Sequence, residues 1–142
     1  MTKELEMFNQ HQQDVRSRAD SLAKAIFVLS GGSLTVSIGL FLKTERLPLS
    51  DCALVILKYS WWLLFATIAL GVFMLSTIIV RDFLFGEQWR KSFHDKNIDV
   101  SGFPGFFEFL IVALGLLGIT TFVAGMFGLA YVATEAVAGI HT

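Results

Sequence analysis

The sequence predicts an all-α fold, an integral membrane bundle of three transmembrane helices with an amphipathic cytoplasmic helix before it and an interfacial linker helix within it. Three apolar stretches, at residues 22–42, 52–80 and 106–134, each reach or exceed the roughly 20 residues that a helix needs to cross a bilayer. The 142 residues are 54% hydrophobic and only 16% charged. Soluble domains carry about 25% charged residues, so the composition also indicates a membrane protein.

The third stretch is rich in glycine. Gly118, Thr121, Gly125 and Gly128 follow one another at intervals of three, four and three residues. In a helix this spacing places all four on one face, which we call the glycine seam. Small residues let the backbones of membrane helices approach closely, so the seam predicts a helix-packing or subunit-packing surface.

The first stretch carries a second surface of this kind. Gly31, Thr35 and Gly39 recur every four residues and share one helix face, which we call the α1 strip. Packing against another helix is the prediction for this strip. The hydroxyls of Ser33 and Ser37 lie on a neighbouring face, and a pore lined by them is the alternative.

Residues 1–21 are polar and mixed in charge, which does not fit a signal peptide. One interpretation is an amphipathic helix that lies on the membrane. The other is an oligomerising cytoplasmic stalk that continues into the first span. Both rest on residues that alternate at spacings of three and four, as in a coiled coil: Leu5, Phe8, Gln12, Val15, Ala19, Leu22 and Ile26.

Aromatic residues mark two predicted membrane interfaces. Tyr59, Trp61 and Trp62 lie early in the second stretch, where rings with a polar edge favour the headgroup region. Trp89 lies in the linker of residues 81–105, among other aromatic and basic side chains. We expect Trp89 to anchor a short interfacial helix, with a partner-binding surface as the alternative.

The distribution of Lys and Arg predicts the topology. Basic residues are frequent in residues 1–21 and 81–105, and the tail of residues 135–142 has neither Lys nor Arg. The N-terminus and the linker are therefore expected in the cytoplasm. The short loop after the first span and the C-terminus are expected outside.

This topology suggests two ion pairs near the membrane boundaries. Lys24 and Glu108 lie a few residues inside the cytoplasmic boundary, and Lys58 and Glu135 lie near the outer one. Charges at such depths are often paired with one another. Lys58 is otherwise expected to extend its ammonium group to the headgroups beside the aromatic residues.

The sequence offers little for catalysis. The polar segments are no longer than about 25 residues, too short to fold as a separate domain. We find no metal-ligand spacing, no phosphate-binding loop and no nucleophile–base motif, and Cys52 is the single cysteine. We therefore expect no enzyme activity and no cofactor. A net charge of −1 gives no reason to expect nucleic acid as a partner.

Residues 25–34, which read AIFVLSGGSL, resemble with Ser37 the first span of small bacterial membrane proteins. Some of those proteins are membrane effectors or accessory subunits in phage-defence loci. The resemblance implies a multi-pass protein of the inner membrane and transfers no functional residue. We expect either a homo-oligomeric, channel-like or membrane-perturbing effector, or an accessory subunit that docks a cytoplasmic protein through its N-terminal helix and linker.

Overall fold

The computed structural model describes residues 2–43, 49–92 and 104–140, and these residues form three helices. Helix α1 is Thr2–Lys43, α2 is Asp51–Ser92 and α3 is Pro104–Ile140. With 42, 42 and 37 residues, they are about 63, 63 and 55 Å long. Each contains an apolar segment long enough to cross a bilayer, which confirms the three predicted membrane-spanning helices in length and composition.

Local sequence explains where α2 and α3 begin. The Ser50 hydroxyl accepts a hydrogen bond from the backbone N–H of Ala53 at 3.3 Å, and the Ser50 carbonyl accepts one from the N–H of Leu54 at 3.1 Å. Ser50 is therefore the N-cap of α2, and Asp51 in the first turn has the charge that a helix N-terminus favours. Helix α3 begins at Pro104, in the first-turn position that tolerates proline.

The N-terminal segment is continuous with the first span. Helix α1 runs unbroken from Thr2 through the apolar residues 22–42 to Lys43. Of the two sequence interpretations, continuity with the span fits this helix, because a segment lying flat on the membrane would have to bend away from it. We call residues 2–21 the stalk.

The linker differs in part from the expectation. Residues 81–92 continue α2 and do not form a helix of their own. No glycine–proline punctuation interrupts the chain at residue 81, so the helix has no reason to end at the membrane boundary. The rest of the predicted linker helix, residues 93–103, lies outside the described residues.

The helices alternate in direction. Ser37 of α1 contacts Trp61 of α2, and Phe27 of α1 contacts Gly71. Helices α2 and α3 are likewise antiparallel, because residues later in α3 contact residues earlier in α2. The stalk and the end of α3 therefore lie at opposite ends of the bundle. Helices α2 and α3 form the closely packed pair, whereas α1 packs mainly on α2 and little on α3.

The interior of the bundle is as polar as it is apolar. Within the described part of the chain, the buried residues include four hydroxyl side chains: Ser30, Ser37, Ser60 and Thr67. Large apolar side chains face outward along all three helices, and Phe127 is 74% exposed. This arrangement suits a surrounding of hydrocarbon. Apolar side chains on the outside gain no free energy from burial there, and small residues in the interior allow the helices to pack closely.

Candidate functional site

The candidate site is the set of small-residue surfaces through which the helices meet. The glycine seam of α3 packs against α2 within the chain. Gly125 lies so close to α2 that a Cβ added there would be 3.0 Å from Leu64 Cγ and 3.3 Å from the carbonyl oxygen of Ser60. A Cβ on Gly128 would overlap the Ser60 hydroxyl. The seam is therefore a helix-packing surface, and its partner is α2 of the same chain.

The other end of the seam is less crowded. A Cβ on Gly118 would lie 4.0 Å from Leu70, which is ordinary van der Waals contact. Between these ends the hydroxyls of Thr67 and Thr121 lie 2.9 Å apart and share a hydrogen bond across the two helices. Each hydroxyl has one proton, so one of the two donates across to the other helix, while the other donates to a carbonyl group of its own helix.

The matching surface of α2 escaped the sequence analysis. Its innermost residues follow one another at spacings of four and three, which is the heptad pattern of closely packed helices. Several of them are small or carry a hydroxyl, and this pattern was the available signal. The surface consists of Ala53, Leu57, Ser60, Leu64, Thr67, Gly71 and Met74.

Two contacts hold α1 on α2. The ring of Phe27 lies against Gly71, so closely that a Cβ on Gly71 would overlap the ring. Further along, the indole N–H of Trp61 donates to the Ser37 hydroxyl at 2.9 Å, and the Trp61 ring meets Phe41 edge to face at 6.3 Å. Trp61 is thus half-buried against α1, and its predicted depth at the membrane interface stays a prediction.

One buried hydroxyl lies on the same face of α1. Ser30 is fully buried, and its hydroxyl has no hydrogen-bond partner among the described residues. It lies between Phe27 and Ser37, the two contact points with α2. The buried hydroxyl groups at the α1–α2 contact are therefore less completely hydrogen-bonded than those at the α2–α3 contact.

Unlike the glycine seam, the α1 strip is not covered by another helix of the described chain. A Cβ on Gly31 or on Gly39 would meet nothing within 4 Å outside its own turn of helix. Thr35 is exposed, and its hydroxyl donates to the carbonyl of Gly31 at 2.8 Å. The strip is thus a smooth surface whose hydroxyl is already bonded. Val28 and Leu42, which extend the same face, are 73% and 79% exposed.

The charged residues do not meet as the sequence suggested. Lys24 pairs with Asp20, one turn earlier in α1, at 2.6 Å, and both side chains are exposed. Among the described residues, no salt bridge joins Lys24 to Glu108. Residues four apart lie on the same helix face, so Lys24 meets Asp20 without any contact between helices.

The second proposed pair is not formed either within the described structure. Lys58 is exposed on α2, and no salt bridge joins it to Glu135. Exposure of Lys58 leaves its ammonium group free to extend toward the headgroups.

The remaining aromatic residues face outward where they are described. Tyr59 is 66% exposed and Trp62 is 64% exposed, and Trp62 meets Phe65 edge to face at 6.1 Å. These positions suit anchoring at a membrane interface. Trp89 belongs to α2, and its side chain lies outside the described part of the structure.

These features define the class as a multi-pass membrane protein by the length, composition and packing of its helices. Within the described residues no cluster of His, Cys, Asp or Glu could hold a metal ion. Comparisons with protein-family models, with curated proteins and with solved structures find no match. The function is therefore inferred from the geometry.

Proposed function

We propose that the protein is a non-catalytic homo-oligomer of the inner membrane, and that its assembly makes the membrane permeable or otherwise perturbs it. The observation that carries this proposal is the difference between its two small-residue surfaces. The glycine seam is covered by α2, whereas the α1 strip of Gly31, Thr35 and Gly39 is left open. A small-residue face allows the close backbone approach by which membrane helices associate, and a second α1 fits it.

The α1 strip offers packing but no free hydrogen-bond donor, because the Thr35 hydroxyl already bonds within its own helix. We therefore assign it to contacts between subunits and not to the wall of a hydrophilic pore. A conducting path between subunits would then be lined mainly by apolar groups, which gate by excluding water.

Bulky substitution of the α1 strip tests the assembly. Gly31→Leu and Gly39→Leu add side chains where the chain itself has open space, so the monomer should fold normally. We expect both variants to shift the mass measured in nanodiscs from oligomer to monomer. Leu29→Phe, on another exposed face of α1, is the matched control and should leave the mass unchanged. A wild-type monomer, or oligomers in all variants, would refute the proposal.

Flux from liposomes tests the consequence of assembly. The wild-type protein should release a small entrapped dye, and Gly39→Leu should release less at equal protein content. An oligomer that releases neither dye nor ions would leave the membrane-perturbing role without support. It would favour the second candidate function.

That second candidate is an accessory subunit that docks another protein through the stalk. The stalk projects beyond the apolar part of α1, and its apolar side chains are open, with Phe8 59% and Val15 53% exposed. A photoreactive amino acid at position 15 in native membranes distinguishes the two functions. Reaction with a second protein supports docking, whereas reaction with another copy of the chain assigns the stalk to the homo-oligomer.

The proposed orientation places the stalk in the cytoplasm. Cys52 provides a native handle for testing it, because it is free, exposed and at the opposite end of α2 from the stalk side. A membrane-impermeant maleimide should label Cys52 in intact spheroplasts. The variant Cys52→Ser/Ser17→Cys, with its thiol in the stalk, should react only after lysis. The reverse pattern would invert the topology.

A further inference from the structure

A cavity of about 150 Å³ lies at the junction of the three helices and is open on one side. Helix α1 lines it from Ala19 to Phe27, α2 from Thr67 to Met74, and α3 from Leu114 to Ile119. It forms where α1 packs little on α3, so the gap between these two helices is not closed by side chains.

The depth of the cavity follows from the positions of its lining residues. Thr67 and Ile119 lie near the middle of the apolar segments of α2 and α3. Met74 lies seven residues, or about 10 Å, further toward the stalk side. On α1 the cavity reaches Ala19, one turn beyond Leu22, where the apolar part of that helix starts. The cavity therefore runs from the middle of the bilayer to the surface on the stalk side, within one leaflet.

The lining of the cavity is apolar. Its one hydroxyl, on Thr67, already donates to the carbonyl of Leu63 and shares a hydrogen bond with Thr121. Water requires two or more polar partners, and apolar cavities of roughly 150 Å³ stay dry and take up hydrocarbon. The cavity thus lacks the groups that would hold water or a polar ligand.

We propose that the cavity holds one acyl chain of a phospholipid from the leaflet on the stalk side. At the proposed depth hydrocarbon surrounds the helices, and Leu22, which lines the cavity, is 52% exposed. Lys24, next to the lining residue Ala23, is already paired with Asp20. Because the lining itself is apolar, recognition comes from the acyl chain, and the headgroup contributes little. This inference does not depend on the proposed homo-oligomer.

Photo-crosslinking tests the proposal with the full chain in nanodiscs. The probe is phosphatidylcholine with a diazirine near the middle of one acyl chain, and the labelled residues are mapped by mass spectrometry. We expect several-fold denser labelling at Met74 and Leu114 than at Phe127. Phe127 is the more demanding comparison because it is 74% exposed to lipid and lies outside the cavity. Labelling in proportion to exposure would overturn the proposal.

Filling the cavity provides the matched variants. Gly115→Leu projects toward Met74, since a Cβ on Gly115 already lies 3.5 Å from its sulfur, and should abolish the enrichment. Gly32→Leu makes the same change where nothing lies within 4 Å and should preserve it. Ala23→Leu fills the cavity from α1 if Gly115→Leu fails to fold. Enrichment that persists in both filled variants would overturn the proposal.

The headgroup is varied separately. Phosphatidylglycerol with the same diazirine chain should label the cavity to the same extent as phosphatidylcholine. Labelling that depends on the headgroup would overturn recognition by the acyl chain. Crosslinks from the cavity to a second copy of the protein, obtained with a photoreactive residue at position 114, would assign the space to another subunit and also overturn it.

Discussion

Substitution of Gly125 by Ala tests the closest approach between α2 and α3. The new methyl group would lie 3.0 Å from Leu64 Cγ and 3.3 Å from the Ser60 carbonyl oxygen. The Ser60 oxygen belongs to the backbone, and Leu64 Cγ can move only by a rotation about χ1, which the packing around this fully buried side chain opposes. The two helices must therefore separate by a few tenths of an ångström.

The magnitude follows from two opposing terms. Overpacking of a well-packed interface costs about 1–3 kcal/mol. Replacing a helical glycine by alanine returns about 0.5–1 kcal/mol. We expect Gly125→Ala to lower the free energy of unfolding by about 1–2 kcal/mol. Gly118→Ala is the matched control, because its methyl group would lie 4.0 Å from Leu70 Cβ. It should leave stability unchanged or raise it by up to about 1 kcal/mol.

Reversible unfolding in mixed micelles, with increasing fractions of a denaturing detergent, measures the difference. Tryptophan fluorescence follows the transition, since Trp61 is half-buried against α1 next to the Ser37 hydroxyl. A difference of about 2 kcal/mol between the two variants corresponds to about thirtyfold in the unfolding equilibrium. Equal stability of the two variants would refute the close approach at Gly125.

Three further substitutions probe the contacts across the bundle, and the same unfolding assay measures them. Gly71→Ala should lower the free energy of unfolding by about 1–3 kcal/mol, because the new methyl group displaces the Phe27 ring. The loss should be much smaller in a Phe27→Ala background, and equal losses in both backgrounds would contradict the contact. Ser37→Ala should cost about 1–2 kcal/mol, because the indole N–H of Trp61 loses its acceptor. Thr67→Val should cost only about 0.6 kcal/mol, because its hydroxyl partner keeps bonds within its own helix. A larger loss for Thr67→Val than for Ser37→Ala would contradict this ranking.

The sequence was sufficient to predict the three apolar helices, because length and hydropathy are local properties. It also identified the glycine seam, since spacing alone places Gly118, Thr121, Gly125 and Gly128 on one face. The partner of that seam was not predictable in the same way. An exposed small-residue face fits another subunit as well as it fits a neighbouring helix, and only the three-dimensional packing distinguishes the two.

The role of Trp61 shows a second limit. The neighbouring tryptophans at residues 61 and 62 lie at nearly the same depth along α2, so the sequence predicts the membrane interface for both but not the direction in which each ring points. A helix turns by about 100° between neighbouring residues, and this rotation sends Trp62 outward and Trp61 toward Ser37. The direction of each depends on where α1 packs, which no local pattern specifies.

For the predicted pair of Lys24 with Glu108, the structure reveals a local competitor. Asp20 precedes Lys24 by four residues, and this spacing brings the two groups together on one helix without any tertiary contact. The pairing with Glu108 required α1 and α3 to lie side by side at that level. In the structure α1 packs mainly on α2.

The unbroken course of α1 makes it one rigid element that two contacts hold on α2: the Phe27 ring on Gly71, and the Ser37 hydroxyl beside Trp61. Twenty-five residues, or about 37 Å, precede Phe27, and sixteen residues, or about 24 Å, follow it to Lys43. A tilt of α1 by about 10° around Phe27 would swing its N-terminal tip by about 6 Å, and it would also pull Ser37 away from Trp61. The second contact therefore holds the long N-terminal arm at a fixed angle to the bundle.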